Sequence, residues 1–336
     1  MKKIVAVLLL AVASFTASAQ QITGAGATFP YPIYAKWAEE YNKQTGVKFN
    51  YQSIGSSGGV RQITNKTVNF GATDAPLSGD KLTETGLLQF PAILGGVVAV
   101  ANLEGFRPGE LRLTGAVLSD IYQGTILKWN DARIAELNPG KTLPNQNITV
   151  VHRADGSGTT YHFTDYLATV SKPWADSIGK GNAVKWPAAS SVGGKGNEGV
   201  AANVQRVKGA IGYVEYAYAK KNNMVHLQLK NRDGQYVNPN EESFAAAAAG
   251  ADWFSRPGMG ISIIDAVGAN SWPIAGASFI LVYARPADPK ASAEVIKFFD
   301  WAFKNGKAMA SDLDYVALPD TLTDQIRSRV WSKIAK

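Results

Sequence analysis

Three turns rich in glycine, serine and threonine, each leading into a helix-like stretch, limit what this chain can fold into more than any other feature. They are Thr23-Gly24-Ala25-Gly26-Ala27-Thr28-Phe29-Pro30, Ile54-Gly55-Ser56-Ser57-Gly58-Gly59-Val60 and Arg153-Ala154-Asp155-Gly156-Ser157-Gly158-Thr159-Thr160. A strand that runs into a small-residue turn and then a helix is the repeating unit of α/β folds. The surroundings agree. Val47–Tyr51, Thr67–Ala72 and Asn147–Val151 have strand composition. Pro32–Tyr41 spaces Ile33, Trp37 and Tyr41 as one helix face, and Thr321–Ala335 does so with Leu322, Ile326, Val330 and Ile334. Ala291–Phe303 and the alanine-rich part of Glu241–Trp253 are further predicted helices. These stripes are core packing. The expectation is an α/β fold with helices covering a mostly parallel sheet.

Two apolar runs bear on domain organisation. Ala92–Asn102 lies near the first third of the chain and Ala277–Ala284 near the last fifth, and each can be a long buried strand. A chain that leaves one lobe through the first run and returns through the second makes a discontinuous lobe around a continuous one. No repeat of 20–50 residues is visible, which excludes a solenoid.

The N-terminus addresses the compartment. Lys2 and Lys3 precede an apolar stretch from Ile4 to Phe15, too short to span a membrane, which ends in Ala17-Ser18-Ala19. This pattern predicts a cleavable signal peptide over 1–19, a mature start at Gln20 and a soluble periplasmic protein. The chain of 336 residues has 34 basic and 27 acidic side chains, and loss of Lys2 and Lys3 leaves a net +5. So small an excess suits solubility or an anionic ligand. No basic run is interleaved with aromatics, so nucleic acid is not an expected partner. The absence of cysteine excludes disulfides, thiolate metal sites, a cysteine nucleophile and a cysteine-linked lipid.

The chemistry concentrates in the turns. Helix N-termini present unpaired N–H groups and partial positive charge, and glycine lets an anion approach the backbone. One such turn signals only a capped helix. Three, one of them carrying Arg153 and Asp155, favour an oxyanion site. Other motif tests are negative or weak. Gly140-Lys141-Thr142 has Ala135 where a phosphate-binding loop requires glycine. Gly194–Gly199 matches G-x-G-x-x-G by letter, but no clear strand is legible before it. Gly55–Gly59 matches G-x-S-x-G with Ser57 as nucleophile, and His152, His162 or His226 as its base. No cluster has metal-ligand spacing, so neither a metal nor a cofactor is expected.

The three turns resemble those of the periplasmic phosphate-binding protein of bacterial phosphate-specific ABC importers. Asp74-Ala75-Pro76, Gly193–Asn197, Gly209–Tyr216 and Phe298-Phe299-Asp300-Trp301 extend the match over nearly the whole mature chain. The resemblance implies two α/β lobes joined by two crossing strands, with ligand in the interlobe cleft. The lobes expected are 20–94 with 272–336, and 95–271. It implies phosphate contacts from Thr28, Phe29, Ser56, Asp74, Arg153, Ser157, Gly158 and Thr159, with Asp155 holding Arg153. It also implies a monomeric, non-enzymatic receptor that delivers inorganic phosphate to membrane permease subunits. The open alternatives are a serine hydrolase or phosphatase using Ser57 or Ser157, and a receptor for another oxyanion.

Those roles make physical sense. Arg153 offers a planar fork to a tetrahedral anion. Ser56, Ser157, Thr28 and Thr159 offer neutral donors, with the N–H groups of Phe29 and Gly158. Asp74 is the odd member, a carboxylate where an anion should bind. It can accept the proton that phosphate retains near neutral pH and that sulfate lacks. A fixed carboxylate there is expected to reject sulfate.

Overall fold

Small residues and β-branched runs place the strands where the chain must lie flat between helices. The structure, a computed structural model, describes residues 21–335; the signal peptide expected over 1–19 and its cleavage point lie outside them. The principal strands are β1 (Gln21–Gly26), β2 (Lys48–Ser53), β3 (Phe70–Thr73), β4 (Leu87–Ala101), β5 (Thr149–Arg153), β6 (Ser191–Gly194), β7 (Ala210–Glu215) and β8 (Ala275–Tyr283). They lie in the order β2-β1-β3-β8-β4-β7-β5-β6.

The two ends of this order are built alike. β2, β1 and β3 are parallel, and so are β7, β5 and β6. Between these triads run the two apolar strands β8 and β4, antiparallel to each other and to the strands they join. The sheet is therefore mixed rather than mostly parallel. The cause is the return of the chain: β8 runs back beside β4, and the antiparallel pairing follows. β4 serves both halves, with Leu87–Gly96 against β8 and Val97–Ala101 against β7. This is the two-lobed architecture expected, with both crossing strands longer than the apolar runs suggested.

Helices cover each triad. Tyr31–Thr45 buries Ile33, Tyr34, Trp37 and Tyr41. Pro289–Asn305 brings Phe298 and Phe299 onto the same side, where Phe298 stacks on Phe49 with centroids 3.9 Å apart. At the other triad, Phe163 stacks on Tyr213 at 4.2 Å. Two helix expectations end early. The alanine-rich helix is Glu241–Ala248, one residue short of the end of the alanine run at Ala249. The tail helix is Asp320–Arg329, and a 3₁₀ turn at Trp331–Lys333 replaces its last turn. Leu322, Ile326 and Val330 are buried, whereas Ile334 is only partly covered. No helix among the described residues is long and apolar enough to cross a membrane.

Candidate functional site

Parallel strands point their carboxyl ends the same way, and clefts form where such ends face each other. Here the turns after β1, β2 and β3 supply Thr28, Ser56 and Asp74. The end of β5 supplies Arg153, and the turns after β5 and β6 supply Ser157 and Asn197. All six residues are at most 5% exposed, although all are polar. The triads touch directly across the cleft, which is closed.

The contacts across it are specific. The Oγ of Ser56 accepts N–H groups from Asp74 at 3.1 Å and from Gly158 at 3.0 Å. Thr28 Oγ1 accepts from the backbone N–H of Asn197 at 3.2 Å and its side-chain amide at 2.7 Å. The same amide reaches Thr159 Oγ1 at 3.1 Å. Ser57 N–H donates to the Gly156 carbonyl at 3.0 Å. Glycine is required where the turns meet. A Cβ at Gly158 would lie 2.4 Å from the Cβ of Asp74, and one at Gly55 (φ +87°) would lie 2.3 Å from Asp155 Oδ2.

Arg153 is clamped from one side. Its Nε donates to Asp155 Oδ1 at 2.8 Å and Nη2 to Oδ2 at 2.5 Å, a bidentate pair, while Nη1 faces Thr159 Oγ1 at 3.4 Å. Burial alone would raise the Asp155 carboxyl, but the bonds and charge of Arg153 win and hold it below its ordinary range. Asp155 also accepts the N–H of Gly196 at 3.1 Å, at the start of the helix Gly196–Arg206. Asp74 has the opposite environment. It is 1% exposed, and its Oδ1 finds no hydrogen-bond partner among the described residues. Burial pushes its carboxyl up to about 7, against the Ser278 and Ser56 hydroxyls and the charge of Arg153.

The remaining expected donors are at hand. Ser157 caps the helix Gly158–Val170 by accepting the N–H of Thr160 at 3.0 Å, which leaves its hydroxyl proton free to donate. The N–H of Phe29 has no acceptor among the described residues, whereas that of Gly158 is held by Ser56. Three tyrosine hydroxyls take the carbonyls of this first turn in succession. Tyr51 donates to Ala27 at 2.8 Å, Tyr218 to Thr28 at 2.6 Å and Tyr315 to Phe29 at 2.6 Å. The arrangement can surround a small tetrahedral anion with neutral donors, one guanidinium edge and one carboxyl group.

Sequence reasoning missed Asn197, which ties Thr28 to Thr159. Its signal was the G-x-G-x-x-G match. A strand, β6, does precede it, contrary to expectation, and a Cβ on Gly194 would lie 2.5 Å from the backbone of Gly199. The match marks a tight strand-to-helix turn that presents Asn197 to the cleft. The hydrolase alternative lacks its base: Ser57 Oγ accepts from Asn182 at 3.3 Å, and neither Ser57 nor Ser157 bonds a histidine. His162 lies in the core, edge-on to Phe29. No group of three or more His, Cys, Asp and Glu side chains among the described residues could hold a metal ion.

This fold and cleft define a periplasmic-binding-protein class, and the family described as "PBP superfamily domain" matches residues 11–305. The chain is 53% identical over 329 residues to the phosphate-binding protein PstS of Pasteurella multocida, covering 98% of this chain and 95% of that one. It is 51% identical to PstS of Haemophilus influenzae, covering 98% and 97%. A human phosphate binding apolipoprotein has the same fold, with a TM-score of 0.74 at 19% identity, covering 91% of this chain and 93% of that one. The chain belongs to the PstS family of phosphate-binding proteins.

Proposed function

We propose that the closed cleft holds one inorganic phosphate ion among Thr28, Phe29, Ser56, Asp74, Arg153, Ser157, Gly158 and Thr159, with Asn197 bracing the donors. The protein is a receptor rather than an enzyme, and it delivers phosphate to the permease of an ABC importer. One observation carries the assignment of residues: a wholly buried carboxyl, Asp74, lies near enough to Arg153 to feel its charge, and Asp155 already neutralises that guanidinium. Such a site has no surplus positive charge to hold a fully ionised anion. It suits one that brings its own proton to Asp74. The relatives named above are phosphate-binding proteins, which supports the same ligand.

The lobes are 20–94 with 272–336, and 95–271. β4 changes partner between Gly96 and Val97, two residues beyond the proposed boundary, which supports a crossing in this part of the strand. Opening would part Thr28 from Asn197 and Ser56 from Gly158, and closure on phosphate creates the surface a permease reads. The reading includes export through the 1–19 segment and a monomeric state.

Calorimetry with phosphate, sulfate and arsenate, alongside a chromogenic phosphate ester, tests it. Stoichiometric phosphate and arsenate binding without ester turnover is expected. Ester hydrolysis abolished by Ser57→Ala or Ser157→Ala would replace the receptor reading with an enzyme.

A further inference from the structure

Glu215 ends β7, is fully buried, and takes no part in the phosphate contacts proposed above. Its Oε2 accepts the N–H of Ala217 at 3.0 Å and lies 2.7 Å from the hydroxyl of Tyr315. That same hydroxyl lies 2.6 Å from the Phe29 carbonyl. A tyrosine hydroxyl has one proton, and a carbonyl and a carboxylate have none to give. Two such short contacts to one hydroxyl cannot both be full, linear hydrogen bonds unless Glu215 contributes a proton. The other carboxyl oxygen points to the same state. Glu215 Oε1 has no partner among the described residues, and it faces Gly95 of β4 so closely that a Cβ there would lie 3.3 Å from it. A negative charge on that oxygen would be left without a donor.

We propose that Glu215 is a carboxylic acid in the closed protein, donating to Tyr315, which in turn donates to the Phe29 carbonyl and so positions the Phe29 N–H for the anion. The position matters because Phe29 is held at both ends. Tyr218 fixes the carbonyl of the peptide that carries its N–H, and Tyr315 fixes the next one. This inference rests on the reading that the Phe29 N–H contacts phosphate. The groups facing Glu215 pull in both directions: Asp314 favours the neutral acid, whereas the Tyr315 hydroxyl and the backbone N–H groups favour the carboxylate, and burial tips the balance to the acid. From the tail come Tyr315 and Asp314, and from the helix Tyr216–Lys221 come the N–H groups of Tyr216 and Ala217. No lysine or arginine hydrogen-bonds it among the described residues, and Lys220 is paired with Asp314. Burial, first, and the charge of Asp314 hold the Glu215 carboxyl well above the usual range.

The test compares wild type with Glu215→Gln, whose amide N–H replaces the acid proton, and with Tyr315→Phe. Phosphate affinity is titrated from pH 6 to pH 10 and expressed as the ratio of wild type to variant, which cancels the titration of phosphate and of Asp74. Tyr315→Phe is expected to weaken binding by about tenfold at pH 7, the size of one buried hydrogen bond. Glu215→Gln gives Tyr315 an N–H but leaves the Ala217 N–H without its acceptor, so it carries a constant cost of its own at pH 7, and the wild type should lose ground to it as alkali removes the acid proton. Infrared difference spectra of the two proteins at pH 7 should show a protonated-carboxyl band that Glu215→Gln lacks. Absence of such a band would overturn the proposal; a flat ratio with the band present would mean that the acid keeps its proton throughout the range. If wild type fails to bind phosphate at all, the site assignment fails, and the infrared band still decides the state of Glu215.

Discussion

Asp74 and Asp155 lie in matching turns at the carboxyl ends of β3 and β5, yet they are set to opposite states. Asp155 meets a bidentate guanidinium and the start of a helix, and is held as a carboxylate. Asp74 meets serine hydroxyls and the charge of Arg153 without a direct bond to it, its Oδ1 is unpartnered among the described residues, and burial pushes it up to about 7. Residue type alone therefore does not decide what a carboxyl group does in this cleft. The partner does. One aspartate cancels a charge, and the other is poised to hold or release a proton within the physiological range.

This difference revises the selectivity expected from sequence. A permanent carboxylate would reject sulfate at all pH values, by about 10⁴–10⁵ for a site built around a ligand O–H. An Asp74 that protonates near neutrality can instead donate to sulfate. The rejection should then grow with pH, by about tenfold per unit above 7, with the 10⁴–10⁵ figure as its ceiling. Competitive titration of both anions from pH 6 to 9 reads this directly. Asp74→Asn keeps the shape and adds a donor, so its sulfate-to-phosphate ratio should be nearly flat. A steep rejection that survives in Asp74→Asn would move selectivity to another group.

The Asp155 side is broken by Arg153→Ala. This leaves Asp155 as an unpaired, half-buried carboxylate and removes the guanidinium edge from the anion. Phosphate binding should weaken by about 2–5 kcal/mol, as for truncation of a buried charge pair. Stabilisation of the fold by added phosphate should shrink in step. Affinity within twofold of wild type would take Arg153 out of the site.

Much of this site was legible because its residues cluster in sequence. Thr28-Phe29, Ser56 and Arg153–Thr159 each lie in one turn, where glycine and a hydroxyl announce a strand-to-helix junction. What could not be read depends on distance in the fold. Asn197 reaches Thr28 across 169 positions, and Tyr315 reaches Phe29 across 286. Nothing local marks an asparagine or a tyrosine as the partner of a remote turn. The sheet was misread for the same reason. Each triad is parallel, as its βα units require, but the antiparallel middle is set by a strand that returns from the far end of the chain. The tail helix stops early although its apolar spacing continues, because Trp331 turns back to stack on Phe303 at 5.7 Å. Packing overrides periodicity there.

The pH dependence of folding should separate the two aspartates by sign. Asp74 is raised, so its contribution is full below the pKa of an unfolded aspartate, near 4, and is lost as pH rises toward about 7. Asp155 is lowered, so its contribution is present above that value and is lost as acid titrates the folded carboxyl. Ligand-free wild type should therefore lose stability between about pH 4 and 7 with a slope of up to about 1.4 kcal/mol per unit from Asp74 alone. Glu215, raised as well, adds to it with the same sign. Asp74→Asn should remove the Asp74 share, and denaturant titrations at several pH values measure it. An unchanged slope would mean that Asp74 is ionised in the free protein.

The smallest expected effect distinguishes two adjacent serines. Ser56 and Ser57 begin the same helix, and by motif Ser57 is the residue to choose, as the centre of G-x-S-x-G. Their environments reverse that choice. Ser56 Oγ takes two buried N–H groups, one from each triad, and its loss leaves both without an acceptor. A buried donor left unsatisfied costs about 1–3 kcal/mol. Part of that cost falls only on the closed form, because the Gly158 N–H comes from the opposite triad and should find water when the cleft opens. Ser56→Ala should therefore weaken phosphate binding more than it lowers the unfolding free energy of the ligand-free protein. Ser57 Oγ has one long contact, 3.3 Å from the partly exposed Asn182 amide, and its N–H bond to Gly156 is backbone and survives substitution. Ser57→Ala should change affinity by less than about 0.5 kcal/mol, within the range of an ordinary surface change. Calorimetry on the two alanine variants beside wild type settles the order. A larger loss from Ser57→Ala than from Ser56→Ala would mean that the second turn presents its other hydroxyl to the ligand.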